Sequence, residues 1–320
     1  MVVGHPGNTF ILVGWGKPIF NFIKIINHKF KFNNIIIITH PKKKHFKDTL
    51  YFDDNRIYEN IFDINDDNVK IIETNQISEK IIKIIKKNNV KLIISVGSKF
   101  IFKKKFIKTF SSKLVNFHPS LLPDERGGAN FTFRILQKKK FVAATAHFID
   151  ENIDSGNIIY KLKKFNIKNY DLKHYFLETY KLYNLILIKI LDKIYKKKNI
   201  MAKKQIDLNA TYFNKINSTK HGKINLNWDV NDIDIFIKAF SRPYKGAYLY
   251  LGKKKIYIIK STQYKKQKIH PFLFGKIKKI AKDGTVLVFF SNGLLKINQI
   301  SLGTKLVKPS SVFKLSSWLK

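Results

Sequence analysis

The most constraining feature of this sequence is a rhythm in its first half. Over roughly the first 160 residues, short runs that are apolar throughout alternate with stretches of helical spacing. Phe10–Val13, Ile35–Thr39, Val69–Glu73, Lys91–Val96 and Leu114–Phe117 read as strands, and Val142–Phe148 as a further one. Pro18–Ile26 carries Ile19, Phe22, Ile23 and Ile26 on one helical face. A second helix is expected from Ser78 to Asn88, with Ile81, Ile82, Ile84 and Ile85 as its apolar positions and Ser78 able to cap it. Strands that lack a polar face must be buried on both sides, so this alternation predicts a doubly wound, mostly parallel α/β sheet with helices on each face. Ligands of such sheets sit beyond the carboxyl ends of the strands, which marks Gly97, Ser98 and His118 as edge residues.

The remainder has another texture. A long helix is expected from Asp171 to about Lys198, with Leu172, Tyr175, Phe176, Leu182, Leu185 and Ile186 as its stripe. The basic segment Lys196–Lys204 reads as the joint between two domains. Beyond it come Lys255–Ile259, Lys276–Ile280, Thr285–Phe289 and Leu294–Ile297, separated by glycines and by the turn dipeptides Asp283-Gly284 and Asn292-Gly293. Evenly spaced short strands predict a small β-barrel of the oligonucleotide-binding kind, or a sandwich. Between residues 41 and 67 the periodicity fails, which predicts a long loop with at most a short helix.

Composition excludes several chemistries. The chain of 320 residues has no cysteine, so it has no disulfide, thiolate metal site or cysteine nucleophile. No stretch reaches the about 18 uninterrupted apolar residues of a membrane span, and no secretory signal opens the sequence, so a cytoplasmic protein without membrane attachment is expected. The net charge of +39 points to polyanions. Only Arg56, Arg126, Arg134 and Arg242 are arginines, however, and isoleucine, asparagine and lysine abound, as AT-rich codons alone would produce. Both origins leave the surface cationic. The lysine runs 42–44, 103–105, 138–140 and 253–255 are read chiefly as solvated faces.

Chemistry concentrates in two stretches. Val115–Asn130 (VNFHPSLLPDERGGAN) sets Asn116 and His118 two apart at a strand end, on one face. Ile149–Gly156 (IDENIDSG) puts Asp150, Glu151 and Asp154 in a turn after the Val142–Phe148 strand. An amide, an imidazole and a carboxylate brought together would offer an oxyanion donor, a proton carrier and a group that orients it. Taken singly, such residues are more often structural. Gly14-Trp15-Gly16 begins a dinucleotide-binding pattern that Ile19 breaks. His147 is expected as a packed core residue and Trp228 as a core residue at the domain joint.

The first stretch resembles the signature of the folate-dependent formyltransferases, N-x-H-x-S-L-L-P followed by R-G. Asn116, His118, Ser120-Leu121-Leu122-Pro123 and Arg126-Gly127 match it, and Ile153-Asp154-Ser155-Gly156 matches the family's later D-(T/S/A)-G element. Gly16-Lys17-Pro18 to Phe20 echoes its first turn. Ile224–Trp228 and Phe240–Tyr248 are similar to the opening of its C-terminal barrel. The resemblance implies a formyltransferase catalytic domain at 1–200 and a C-terminal β-barrel domain at 201–320. It also implies transfer of the formyl group of 10-formyltetrahydrofolate to a neutral amine, with no metal. Asn116 would then steady the developing oxyanion, His118 would assist proton transfer and Asp154 would hold His118. Val96, Gly97, Ser98, Ser120, Leu121, Leu122 and Pro123 would line the folate site. Two acceptors fit the resemblance. Length, barrel and charge favour methionyl-tRNA. Departures favour a nucleotide-linked amino sugar: Gly128-Ala129-Asn130 stands where the tRNA enzymes have a small residue and Ala-Pro, and Arg242-Pro243-Tyr244-Lys245 where they have N-P-W-P.

Overall fold

The structure is a computed structural model and describes residues 8–30, 33–44, 61–165, 171–303 and 305–320. Most of the expected loop at 41–67 lies outside these residues; within it, Ile61–Asp63 forms one 3-10 turn.

In the first half, β1 (Asn8–Gly14), α1 (Lys17–Lys29), β2 (Asn33–Thr39) and β3 (Val69–Glu73) are followed by α2 (Glu79–Lys86), β4 (Val90–Val96), α3 (Lys104–Phe110) and β5 (Leu114–His118). Next come the two-residue β6 (Arg126–Gly127), α4 (Asn130–Leu136), β7 (Phe141–Phe148), β8 (Ile158–Phe165) and α5 (Leu172–Tyr195). The main sheet has the order β3-β2-β1-β4-β5-β7-β8. Its first five strands are parallel, β7 pairs antiparallel with β5, and β8 pairs antiparallel with β7. The strand order reverses between β1 and β4, which opens a crevice at the carboxyl ends of those strands.

Alternate residues of each strand serve opposite faces. Phe10 and Leu12 of β1, with Ile35 and Ile37 of β2, pack under α1 and α5. Ile11 and Val13, with Ile36 and Ile38, pack under α2 and α3. This two-sided burial is why the strands are apolar throughout. Pro18 starts α1, where its missing N–H leaves no bond unmade. Ser78 stands at the N-cap of α2, yet its hydroxyl makes no cap bond. Asp171 does cap α5, accepting from the backbone of His174 at 2.8 Å. The α5 stripe differs from expectation at one residue. Leu185 is 51% exposed, and Leu187, Ile190 and Leu191 are buried instead. The stripe turns with the 3.6-residue period, and Leu185 falls just outside it.

The second half contains β9 (Tyr212–Phe213), the single-turn α6 (Ser218–His221), α7 (Val230–Ala239), β10 (Ala247–Leu251), β11 (Lys254–Lys266), β12 (Ile277–Ile280), β13 (Val286–Phe290), β14 (Gly293–Leu302) and β15 (Lys305–Val307). Strands β10 to β15 form an antiparallel sheet in the order β10-β11-β14-β13-β12, with β15 on β14. The C-terminal residues join its two edges. Tyr250 and Lys320 exchange backbone bonds at 2.6 and 2.8 Å, while Ile277 donates to Ser317 and Leu319 donates to Gly275. Both edge strands therefore have partners, as in a closed barrel. Asp229 caps α7, which packs on β11. Trp228 is 37% exposed and rests edge-on against Phe236, so it lies at the rim of the core rather than inside it.

Residues 203–213 do not hang free between the halves. Lys203 exchanges backbone bonds with Ile158, and β9 pairs with β6. A single apolar cluster runs from Phe10 through Ile237 to Leu319. Among the described residues no helix is long and apolar enough to cross a membrane.

Candidate active site

Asn116 and His118 close β5, and neighbouring β7 delivers the turn that carries Asp154. The three side chains meet at the carboxyl end of β5. His118 Nδ1 lies 3.4 Å from Asp154 Oδ2, and Asn116 Nδ2 lies 3.4 Å from Asp154 Oδ1. The backbone N–H of Gly127 donates to Asp154 Oδ2 at 2.9 Å. Asp154 itself has φ of +52°, a left-handed conformation that aspartate tolerates better than most residues.

His147 joins them, contrary to its reading as an ordinary core residue. It is buried, but its Nε2 is 3.2 Å from Asn116 Nδ2 and 3.5 Å from Asp154 Oδ1. Its Nδ1 faces the carbonyl of Phe148 at 2.8 Å and must donate there. In the neutral ring Nε2 is then an acceptor, so it holds the nitrogen of the Asn116 amide toward Asp154.

The same reasoning fixes the neutral tautomer of His118. Its Nε2 is 2.9 Å from the carbonyl of Glu125, which can only accept. Nδ1 is therefore the bare nitrogen, and it faces the Asp154 carboxylate. Burial pushes the His118 pKa below its ordinary 6.5, even though the nearby Asp154 charge acts the other way. For Asp154 burial alone would raise the pKa, but attraction to a protonated His118, the nearby His147 ring and the Gly127 amide outweigh it and hold the carboxyl at about 2. Near neutrality the centre is a carboxylate beside an uncharged imidazole, with no hydrogen between Nδ1 and Oδ2.

Glu125, which the sequence reading passed over, supports this arrangement. It is buried at φ of +59°. Its carboxylate takes Arg134 Nε at 2.6 Å and Lys139 Nζ at 2.7 Å, and its carbonyl also accepts from Asn130. One lysine of the 138–140 run is thus a structural counter-ion, and Lys104 and Lys105 pair with Glu151 and Glu79. Asp150 is a turn residue, accepting from Ser155 Oγ at 2.6 Å.

The residues expected at the folate site fall into two groups. Gly97 is exposed with φ of +60°, and Ser98 is half-buried, its hydroxyl accepting from Phe100. Trp15 donates to the Gly97 carbonyl at 3.0 Å and ties the loop after β1 to the loop after β4. Leu121 and Pro123 are half-buried on the loop after β5, the next strand along. Val96, Ser120 and Leu122 are buried. Ser120 donates to the Asp124 carbonyl at 2.8 Å, and the Leu122 N–H donates to Thr145 at 3.3 Å. Those two shape the loop from within and present no surface to a ligand, because the apolar Leu122 side chain and the paired Ser120 hydroxyl both point into the protein. Beside Asp154 lies a cleft of about 480 Å³ lined by Arg126, Glu151, Ile153, Ser155, Asp207 and Tyr212, among others. Among the described residues no cluster of His, Asp and Glu is placed to hold a metal ion.

Residues 16–181 match the formyl transferase family, and residues 217–316 match the family described as formyl transferase, C-terminal domain. The chain belongs to the formyl transferase family. Members of that family transfer formyl groups. The methionyl-tRNA formyltransferase of Clostridium tetani is 27% identical over 261 residues, which cover 76% of this chain and 81% of that protein. The solved methionyl-tRNA formyltransferase from Clostridium thermocellum superposes with a TM-score of 0.57 at 19% identity, over 81% of this chain and 94% of its own. An N-formyltransferase from Helicobacter canadensis, solved with folinic acid and dTDP-3-aminofucose, gives 0.64 at 21% identity, over 91% and 99%. At such identities the two structures establish the shared fold alone.

Proposed function

We propose that this formyltransferase moves the formyl group of 10-formyltetrahydrofolate to the amino group of methionyl-tRNA, with Asn116, His118 and Asp154 as its catalytic residues. The observation that carries the chemistry is the edge where His118 Nδ1 and Asp154 Oδ2 face each other at 3.4 Å, with His118 Nε2 turned to the Glu125 carbonyl. A proton leaving the attacking amine has a base there. The imidazolium that results is held by Asp154 on one side and by the Glu125 carbonyl on the other. The amine nitrogen would bond to the formyl carbon as the carbon–N10 bond of the folate breaks, and His118 would return the proton to N10, releasing tetrahydrofolate. Asn116 keeps one amide hydrogen on His147 and spends the other on a long contact to Asp154. That second hydrogen is readily redirected to a formyl oxygen as charge develops on it. The open backbone at Gly97-Ser98 and the half-buried Leu121 and Pro123, at the ends of adjacent parallel strands, suit a flat ring with a polar edge.

The choice of acceptor rests on the Clostridium tetani relative and on the positive charge. The alternative, a nucleotide-linked amino sugar, is supported by the Helicobacter canadensis likeness and by the departures at 128–130 and 242–245. Purified protein with 10-formyltetrahydrofolate is to be offered charged initiator methionyl-tRNA and dTDP-linked amino sugars in parallel. Formylation of the tRNA is the expected result, and transfer to the sugar alone would reassign the acceptor. Substituting His118→Ala or Asp154→Ala is expected to lower kcat at least about a hundredfold while the melting profile stays cooperative. Near-normal turnover in either variant would remove that residue from the mechanism.

A further inference from the structure

Between α5 and α6 the chain crosses back over both loops of the centre, and two of its side chains grip them. Gln205 is 6% exposed. Its Nε2 donates to the carbonyl of Asp154 at 2.8 Å and to that of Gly156 at 2.7 Å. Its Oε1 accepts from Arg126 Nε at 3.2 Å and from Arg126 Nη2 at 2.8 Å. A side-chain amide has two donors and two acceptor lone pairs, so all its capacity is used. The two carbonyls belong to the turn that holds Asp154 at a positive φ. The guanidinium belongs to the residue before Gly127, whose N–H bonds the Asp154 carboxylate. One side chain therefore joins the backbone of the carboxylate to the loop that orients its oxygens. Thr211 does the same for the imidazole side. Its hydroxyl accepts from the Glu125 N–H at 2.8 Å and donates to the Asp124 carboxylate, fixing the segment whose carbonyl takes His118 Nε2.

We propose that Gln205 is a positioning residue for formyl transfer, which sets the Asp154 carboxylate against His118 by clasping the Asp154 turn to Arg126-Gly127. This rests on the reading of Asp154 and His118 as the centre. Bulk alone does not account for the site. A leucine would fill the same volume but would leave two buried carbonyls without donors, at a position where Arg126 keeps Asp207 and Tyr212.

The test uses the full chain with Gln205→Glu, which keeps acceptors for Arg126 and loses both donors, and with Gln205→Leu. Four quantities are read: kcat, the Kd for folinic acid, the melting temperature, and the titration midpoint of the His118 ring by NMR. We expect kcat to fall about tenfold to a hundredfold, as for a displacement of an ångström or less at a reacting group, with folinic acid Kd within about twofold. In Gln205→Leu, which adds no charge, the His118 midpoint should move below that of the wild type, because the carboxylate that raises it has moved away. A folded Gln205→Glu with wild-type kcat, or a folded Gln205→Leu with an unmoved His118 midpoint, would overturn the proposal. So would parallel losses of kcat and folinic acid binding with a lowered melting temperature, which mark a merely structural residue. Should neither variant fold, Gln205→Asn retains the amide on a shorter arm and is read in the same way. If the wild type formylates none of the acceptors, the functional reading fails, while the His118 midpoint still tests the clasp.

Discussion

At the residue scale, the proposed centre sets two titrating groups in opposed environments. Burial keeps His118 neutral, and its partners keep Asp154 ionised. A folded-state pKa below the ordinary value has the same sign of effect on stability in both cases. The unfolded chain binds the proton more readily, so stability is full above the ordinary pKa and is lost as pH falls, from 6.5 for His118 and from 3.8 toward about 2 for Asp154. NMR titration of the His118 ring should give a midpoint below 6.5, and Asp154→Asn should lower it further by removing the attraction for the proton. A midpoint at or above 6.5 would contradict the burial argument. The meeting of Asn116, His118 and Asp154 was expected from two local motifs, whereas the place of His147 was not. An isolated histidine in an apolar strand gives no sign of what stands opposite, and only the antiparallel pairing of β5 with β7 sets His147 against Asn116. Glu125 was hidden for a related reason. Its counter-ions Arg134 and Lys139 lie on and just after α4, and the sequence does not tell a buried carboxylate from a turn residue. Replacing Glu125 with Ala leaves the Arg134 charge buried and is expected to cost about 3–5 kcal/mol in urea unfolding.

At the element scale, two loops carry the site and each depends on a close backbone approach. Gly127 has φ of +89°, and a Cβ there would lie 2.4 Å from the carbonyl of Phe213. Gly127→Ala therefore separates β6 from β9 and displaces the N–H that bonds Asp154. It should lower kcat and cost about 1–3 kcal/mol of stability, with the activity loss persisting under conditions where the variant is fully folded. Wild-type kcat in this variant would show that the Gly127 amide does not matter to Asp154. The strands and helices named from the sequence, and the hairpins at Asp283-Gly284 and Asn292-Gly293, were legible within a few residues, since period and turn chemistry are short-range properties, whereas β8, β10, α3 and α7 were not read from it. The short β6–β9 pair was not. Two residues have no period, and their partners are 86 positions apart.

At the scale of the whole molecule, a continuous apolar cluster joins both halves, so the C-terminal sheet is held firmly on the catalytic sheet. Thr132 donates to the carbonyl of Ala239 at 3.1 Å across that junction, and Lys138 pairs with Asp232 there. The surface of a chain with a net charge of +39 should bind tRNA with a strong salt dependence. Raising salt from about 50 to 200 mM should weaken methionyl-tRNA affinity by an order of magnitude or more, while folinic acid affinity changes little. A flat salt response with tRNA would leave the charge without a part in acceptor binding.

The sequence by itself determined the α/β alternation, the two-sided burial of the strands, and the local motifs around His118 and Asp154. Each of these follows from patterns a few residues long. Tertiary structure alone decided which distant groups meet. It placed Gln205 on the Asp154 turn, Thr211 on the Glu125 segment and His147 on the Asn116 amide, because those contacts depend on strand order and on the path of one connecting segment. Such contacts leave no period or spacing in the chain. They arise only when the sheet is assembled and the segment after α5 must pass over its carboxyl edge.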